Sequence, residues 1–189
     1  MTKAELRRAY KAKRNALANQ EYIRRNQQIF QLFRDIFPTE EIATVHCYLA
    51  SEKKQEAGTS LIINYLLNQS GIRIATSRSY ANGRLTHHLF TSDTKLETNL
   101  WGISEPLATE PTVGVEEIDW VIVPLLAFDQ RGYRVGYGKG FYDRFLAECR
   151  SDVVKVGLSL EPPVDHITDT NSHDIPLDQV ITPDKVFSY

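Results

Sequence analysis

The stretch from Asp119 to Arg150, DWVIVPLLAFDQRGYRVGYGKGFYDRFLAECR, constrains this chain more than any other. It opens as a β-branched apolar run, Trp120-Val121-Ile122-Val123, that stops at Pro124. It closes with Phe141, Phe145, Leu146 and Cys149 at helical spacing. Between the two lies a loop punctuated by Gly132, Gly136, Gly138 and Gly140, with Arg134 and Lys139 interleaved. Strand, glycine loop and helix start together make an anion site. Glycines let backbone N–H groups approach phosphate oxygens, and the first helical turn adds unpaired donors and a favourable dipole. The spacing is not a Walker loop, because Lys139 is followed by Gly140, and it is not the G-x-G-x-x-G of a dinucleotide fold. An ordinary flexible loop before a capped helix remains an alternative on spacing alone. Asp143, in the first helical turn, reads either as an acid complementing the helix dipole or as a carboxylate able to hold Mg²⁺ near phosphates.

With 189 residues the chain suits one domain, residues 1–189. A net charge of −2 argues against a general nucleic-acid binder, and no apolar run approaches a membrane span. Cys47 and Cys149 lack metal-ligand spacing and read as buried free thiols of a reducing cytoplasm.

Elsewhere, Thr2-Lys3-Ala4-Glu5 is a capping box that starts a helix at once. Leu6, Tyr10 and Leu17 fall on one stripe of it. Lys3, Arg7, Lys11 and Arg14 fall on a neighbouring stripe, either a solvated face or a basic edge able to reach an anion at the docking seam. A second helix runs from about Gln20 to Phe37, and Ile42 to Leu49 reads as a buried strand. Leu61, Ile62, Tyr65 and Leu66 share a face of a third helix, followed by a short strand, Ile72 to Ala75. Asn82-Gly83 signals a hairpin, and the adjacent His87 and His88 read as surface or structural groups. Val153 to Leu160 is a further strand, and the alternation of strands and helices predicts an α/β sheet. Glu56, just after the first strand, reads either as a helix-start acid or as a group at the ligand-binding end of a sheet. Asp174 before Pro176 reads locally as a turn acid.

The run VPLLAFDQRGYRVGYGKGFYDRFL resembles the signature of the 5-formyltetrahydrofolate cyclo-ligases, also called 5,10-methenyltetrahydrofolate synthetases, which reads roughly P-x-x-A-F-D-x-x-G-x-R-x-G-x-G-x-G-[FY]-Y-D-x-x-L. Lys3, Arg7 and Arg14 fit that family's opening, Glu56-Ala57-Gly58-Thr59 its E-x-x-T, Trp101-Gly102-Ile103-Ser104-Glu105-Pro106 its G-[IV]-x-E-P, and His173 to Thr182 its ending. Two places depart from it: Ser77-Arg78 stand where many members have proline, and a glutamine frequent in the family after the Val153 to Leu160 strand is absent, with Glu161 nearby.

The resemblance implies a three-layer α/β/α sandwich with a mostly parallel sheet, like phosphosugar isomerases and CoA transferases. It implies conversion of 5-formyltetrahydrofolate to 5,10-methenyltetrahydrofolate with ATP, releasing ADP and phosphate. ATP would meet Lys3, Arg7, Arg14, Arg134, Gly136, Tyr137, Gly138, Lys139, Gly140, Phe141 and Tyr142. Folate would meet Glu56, Tyr48, Tyr137, Phe141 and Tyr142. Mg²⁺ would rest on Asp143 and Asp174, and Lys139, Arg134 and Tyr142 would act in catalysis. Glu105-Pro106 would form a rigid turn near the site. The expected protein is a monomer of the cytoplasm with no nucleic-acid or membrane partner. A non-catalytic ligand-binding protein and a phosphosugar isomerase of the same fold are the rivals.

Overall fold

The computed structural model describes residues 1–38, 42–100 and 102–189, so Trp101 of the G-I-S-E-P segment lies outside the described residues. In chain order the helices are α1 (Lys3–Ala16), α2 (Asn19–Ile36), α3 (Ser60–Leu67) and α4 (Phe141–Glu148). The strands are β1 (Thr44–Cys47), β2 (Arg73–Ser79), β3 (Leu85–Phe90), β4 (Leu96–Thr98), β5 (Ser104–Pro106), β6 (Trp120–Pro124), β7 (Ala127–Phe128), β8 (Arg134–Val135), β9 (Val154–Leu158), β10 (Gln179–Ile181) and β11 (Val186–Ser188).

Side-chain alternation on β6 divides the molecule into layers. Trp120 and Ile122 enter a core with Ile29 and Phe33 of α2 and Ile62 and Leu66 of α3. Val121 and Val123 point the other way, into a core with Phe145 and Leu146 of α4. Period-two alternation in a strand buried on both faces requires helices on both sides. The expected three-layer α/β/α arrangement is therefore present.

Among the described residues the main sheet has seven strands in the order β3-β2-β1-β6-β9-β10-β11. Strands β2, β1, β6, β9 and β10 run parallel, and the two edges, β3 and β11, are antiparallel hairpin partners. From β1 the chain moves outward through β2 and β3, then returns to β6 on the other side of β1. The β1/β6 boundary is thus a topological switch point, and ligands of open α/β sheets bind beyond the strand carboxyl ends there. The loops that follow these two strands carry Tyr48 to Glu56 and Leu125 to Gly140.

Helix α1 belongs to neither face layer. Its capping box forms as expected, with Thr2 Oγ1 accepting from the Glu5 amide and the Glu5 carboxylate accepting from the Thr2 amide. Leu6 and Tyr10 then pack on Leu126, Ala127, Val135 and Ile167, over the β7–β8 hairpin. In the described residues no helix is long and apolar enough to cross a membrane.

Three local expectations change. Leu61 faces outward and Ile63 inward on α3, because the helix is apolar nearly all round and periodicity cannot choose its face. Strand β2 extends to Ser79, since β3 pairs with it over six positions from Ile74↔Phe90 to Ser79↔Leu85. Glu105-Pro106 is a strand, not a turn: β5 pairs with β4, and the buried Glu105 carboxylate accepts from the Ser79 amide and hydroxyl and from Asn99.

His87 and His88 are both buried, so they are structural. His87 stacks on Phe145 with ring centroids 4.1 Å apart and lies 3.4 Å from Ser77 Oγ, which is 2.7 Å from His46 Nε2. Burial lowers the His87 pKa to about 4 and drives that of His46 well below its usual value. A buried neutral imidazole binds no proton in the folded state while its unfolded counterpart does below about pH 6.5. Its stabilising contribution is therefore full above that pH and declines as pH falls toward 4. Between pH 7.5 and 5, His87 should account for a loss of about 2 kcal/mol. Thermal unfolding at the two pH values should show a smaller drop for His87→Asn than for the wild type. Equal drops would contradict the neutral, buried imidazole.

Candidate functional site at the switch point

The loop after β6 is shaped by its backbone. Gly132, Gly138 and Gly140 take positive φ of 81°, 94° and 66°, a region that disfavours other residues. Gly138 also has a close neighbour: a Cβ there would meet the Arg7 guanidinium at 3.2 Å. Arg7 is threaded against this part of the loop, its Nε donating to the Gly136 carbonyl at 2.9 Å. Gly140 is the N-cap of α4 and places Asp143 in the first turn.

The basic edge of α1 reaches the loop along its whole length. Lys3 Nζ donates to both carboxylate oxygens of Asp174, at 2.6 and 2.5 Å. Arg14 is buried; its Nη1 donates to the Tyr137 hydroxyl at 3.1 Å and its Nη2 to the Leu125 carbonyl. Lys11 and Lys54 each stand 5.6 Å from the centre of the Tyr137 ring. The stripe is therefore no solvated face. It is carried to the loop because its neighbouring stripe, Leu6 and Tyr10, docks on the hairpin that continues into that loop.

Asp143 and Asp174 come together although 31 positions separate them. The amide of Ile175, the residue after Asp174, donates to Asp143 Oδ1 at 3.4 Å. The same oxygen accepts from Arg134 Nη2 at 2.8 Å, and Arg134 Nη1 donates to the Ile175 carbonyl. Arg134 is 7% exposed, so it holds the two carboxylate-bearing segments together instead of projecting from the loop. Burial lowers its pKa, while Asp143 acts to raise it. Among the described residues no group of three or more acidic, histidine or cysteine side chains gathers. This donor set suits Mg²⁺, which takes one or two carboxylates and completes its shell with water and phosphate oxygens.

On the β1 side, Glu56 is buried, its Oε2 accepting from the Ser51 amide at 2.7 Å. Its charge is felt by four tyrosines: Tyr22, Tyr48, Tyr137 and Tyr142 all have hydroxyl pKa values pushed up, chiefly by burial, with Glu56 among the groups that raise them further. Glu56, Tyr137 and Tyr142 thus share one neighbourhood at the switch point. Tyr48 has a different part: its ring is buried and its hydroxyl donates to the Ala57 carbonyl at 2.6 Å, which steadies the segment carrying Glu56. Phe141 is half-buried at the start of α4, and Lys139 is exposed in the loop. Glu161, near the departure from the family glutamine, pairs with Arg25 at 2.5 Å and Lys13 at 3.4 Å.

Sequence reasoning missed two groups. Asp129 is fully buried and accepts from the amides of Arg131, Tyr133 and Ile167 at 3.0, 3.2 and 3.0 Å, and from Arg131 Nη2 at 2.7 Å. Asp followed three residues later by glycine is a turn signal that could have shown this. Arg144 donates to the carbonyls of Gly83 and Lys139, contacts for which the sequence carries no signal.

Residues 1–183 match the sequence model of the 5-formyltetrahydrofolate cyclo-ligase family. The 5-formyltetrahydrofolate cyclo-ligase of Haemophilus influenzae is 30% identical over 129 residues, 67% of this chain and 69% of that protein. The enzyme of the same name from Escherichia coli K12 is 32% identical over 112 residues, 58% of this chain and 62% of that protein. The solution structure of Aquifex aeolicus 5,10-methenyltetrahydrofolate synthetase superposes with a TM-score of 0.77 at 26% identity, covering 100% of this chain and 93% of that one.

Asp129 is the part of this architecture whose role is structural. Asp129→Ala leaves one buried and two half-buried amides and a guanidinium without their acceptor, at a cost of about 3 kcal/mol. Chemical denaturation should show that loss. A change near zero would mean that water replaces the carboxylate and that the hairpin does not depend on it.

Proposed function

The chain belongs to the 5-formyltetrahydrofolate cyclo-ligase family, a family of ligases, and we propose that it converts 5-formyltetrahydrofolate and ATP to 5,10-methenyltetrahydrofolate, ADP and phosphate. One observation carries this reading: the glycine loop at the switch point gathers Lys3, Arg7 and Arg14 from α1, Asp143 from α4 and Asp174 from the distant carboxyl-terminal segment. A site for a folate alone needs no such collection of cations and paired carboxylates about a loop of backbone donors.

In the proposed reaction the formyl oxygen attacks the γ-phosphorus and the bond to the β,γ-bridging oxygen breaks, releasing ADP. Folate N10 then attacks the activated formyl carbon, its proton is lost, the carbon–oxygen bond breaks and phosphate departs. Little covalent chemistry falls to the protein, whose task is positioning and charge stabilisation. Arg7 and Lys139 offset phosphate charge, the loop amides from Gly136 to Gly140 cradle the oxygens, and Arg14 sets the Tyr137 hydroxyl. Arg134 keeps Asp143 beside Asp174. These two carboxylates would hold Mg²⁺, which when bound neutralises charge on the transferring phosphoryl group. Glu56 accepts from the amide and amino groups of the pterin, and Phe141 and Tyr142 pack on the folate.

A phosphosugar isomerase needs neither ATP nor a metal, and the paired Asp143 and Asp174 speak against that rival. Absorbance of the methenyl product, with ATP omitted in a control, tests the proposal directly: product formed without ATP, or none with it, overturns it. Lys139→Ala should slow turnover by about 3 kcal/mol in the transition state, with the fold intact because the side chain is exposed. Wild-type turnover and ATP affinity would remove Lys139 from the site. Asp143→Asn and Asp174→Asn should each depress the rate, and the double variant should lose much less than the sum, since the pair acts as a unit. Additive losses with unchanged Mg²⁺ dependence would place any metal elsewhere.

A further inference from the structure

Arg144 has no part in the scheme above, yet it joins two segments that the scheme needs. Its Nε and Nη2 donate to the Gly83 carbonyl at 3.0 and 2.9 Å, and Nη2 also donates to the Lys139 carbonyl at 2.8 Å. Gly83 forms the tip of the β2–β3 hairpin, whereas Lys139 is in the glycine loop. Both neighbours are fitted to the guanidinium. A Cβ on Gly83, at φ 85°, would stand 2.5 Å from Nη2, and one on Gly140, at φ 66°, would stand 3.1 Å from Nη1. The guanidinium also lies 5.7 Å from the centre of the Phe141 ring. A planar fork with several donors can satisfy carbonyls on two segments at once, which an ammonium cannot do in the same geometry.

We propose that Arg144 is a positioning residue for the phosphate loop, fixing the Lys139–Gly140 peptide against the β2–β3 hairpin. The physical argument is peptide planarity. In a trans peptide the carbonyl of one residue and the N–H of the next point in opposite directions. Anchoring the Lys139 carbonyl on Arg144 therefore aims the Gly140 N–H away from the guanidinium. Gly140 is the N-cap of α4, where helix-start donors meet an anion. Its Nε and Nη2 donors go to carbonyls, so these bonds order the loop without themselves binding phosphate. The hydrogen bonds of this side chain join the hairpin tip to the loop, which makes the tip part of the proposed nucleotide site.

The inference rests on the nucleotide reading given above, and its test separates the two. Amide hydrogen exchange of ligand-free wild type, Arg144→Ala and Arg144→Lys reports the loop with no ligand present, and calorimetric titration with ATP and Mg²⁺ reports its consequence. Arg144 is exposed, so the variants should fold. Loss of these charged-donor bonds should speed exchange at residues 138–141 and weaken ATP binding, each by about tenfold or more, in Arg144→Ala. Arg144→Lys, which keeps the charge but not the fork, should recover only part of either. Exchange at 138–141 and ATP affinity both within about twofold of wild type would overturn the proposal. Faster exchange confined to residues 80–86 would also overturn it, because the residue would then serve the hairpin alone. A wild type that binds no ATP sinks the nucleotide reading, and the exchange comparison still decides whether the clamp orders the loop.

Discussion

The docking of α1 on the β7–β8 hairpin is the interaction on which the candidate site depends. Leu6 is fully buried and Tyr10 nearly so against Leu126, Ala127, Val135 and Ile167. Burying two such side chains is worth a few kcal/mol, on the order of 25 cal/mol per Å² of apolar surface. That energy holds Lys3, Arg7 and Arg14 beside a loop more than a hundred positions away. Lys3 is offset by Asp174, while Arg7 and Arg14 rest on carbonyl and hydroxyl oxygens, so the packing helps to hold together cations that would otherwise repel. The same hairpin depends on Asp129, which ties β7 and β8 to the segment carrying Ile167, the floor under α1. Sequence segments that look unrelated are thus links of one chain of support.

The charges at the site are arranged in near-neutral pairs. Lys3 is matched with Asp174 and Arg134 with Asp143, each pair largely shielded from solvent on one side. A buried or half-buried charge without a partner costs several kcal/mol, so the pairing is what makes the preformed site compatible with a stable fold. It also fixes how a ligand enters. On the proposed reading, an anion would gain Lys3 only as that ammonium shared or left Asp174, and a divalent cation would compensate Asp174 as it did so. Nucleotide and metal would then reinforce each other through one salt bridge.

Legibility followed the length and independence of each signal. The β6 strand, the glycine loop and the α1 capping box are local patterns, and each was readable before any contact was known. The gathering of Asp143 with Asp174 is non-local, and the residues alone left Asp174 as a turn acid; only its resemblance to a family pattern paired it with Asp143. The face of α3 was misread because Leu61, Ile62, Ile63, Leu66 and Leu67 surround the helix, and tertiary packing makes the choice. Strands β7 and β8 are two residues each, too short for any periodicity, and exist because Asp129 closes their turn. The burial of Arg14 runs against the usual expectation for arginine; it is tolerated because the Leu125 carbonyl and the Tyr137 hydroxyl accept from it.

The sheet's switch point explains why two chemically different groups of residues meet. The loop after β1 brings Glu56, an acceptor held by a backbone amide and enclosed by tyrosines, and the loop after β6 brings glycines and cations. These suit opposite ligand chemistries: a ring edge rich in N–H donors on one side, and phosphate oxygens on the other. Tyr137 stands between them, its hydroxyl bonded to Arg14 and its pKa raised chiefly by burial and then by Glu56. A phenol kept protonated can donate to a forming negative charge without surrendering its proton. On the proposed reading, the fold brings the pocket for a donor-rich ring and the pocket for an anion to a common edge, with a neutral hydrogen-bond donor at the seam where a group passing from one ligand to the other would cross.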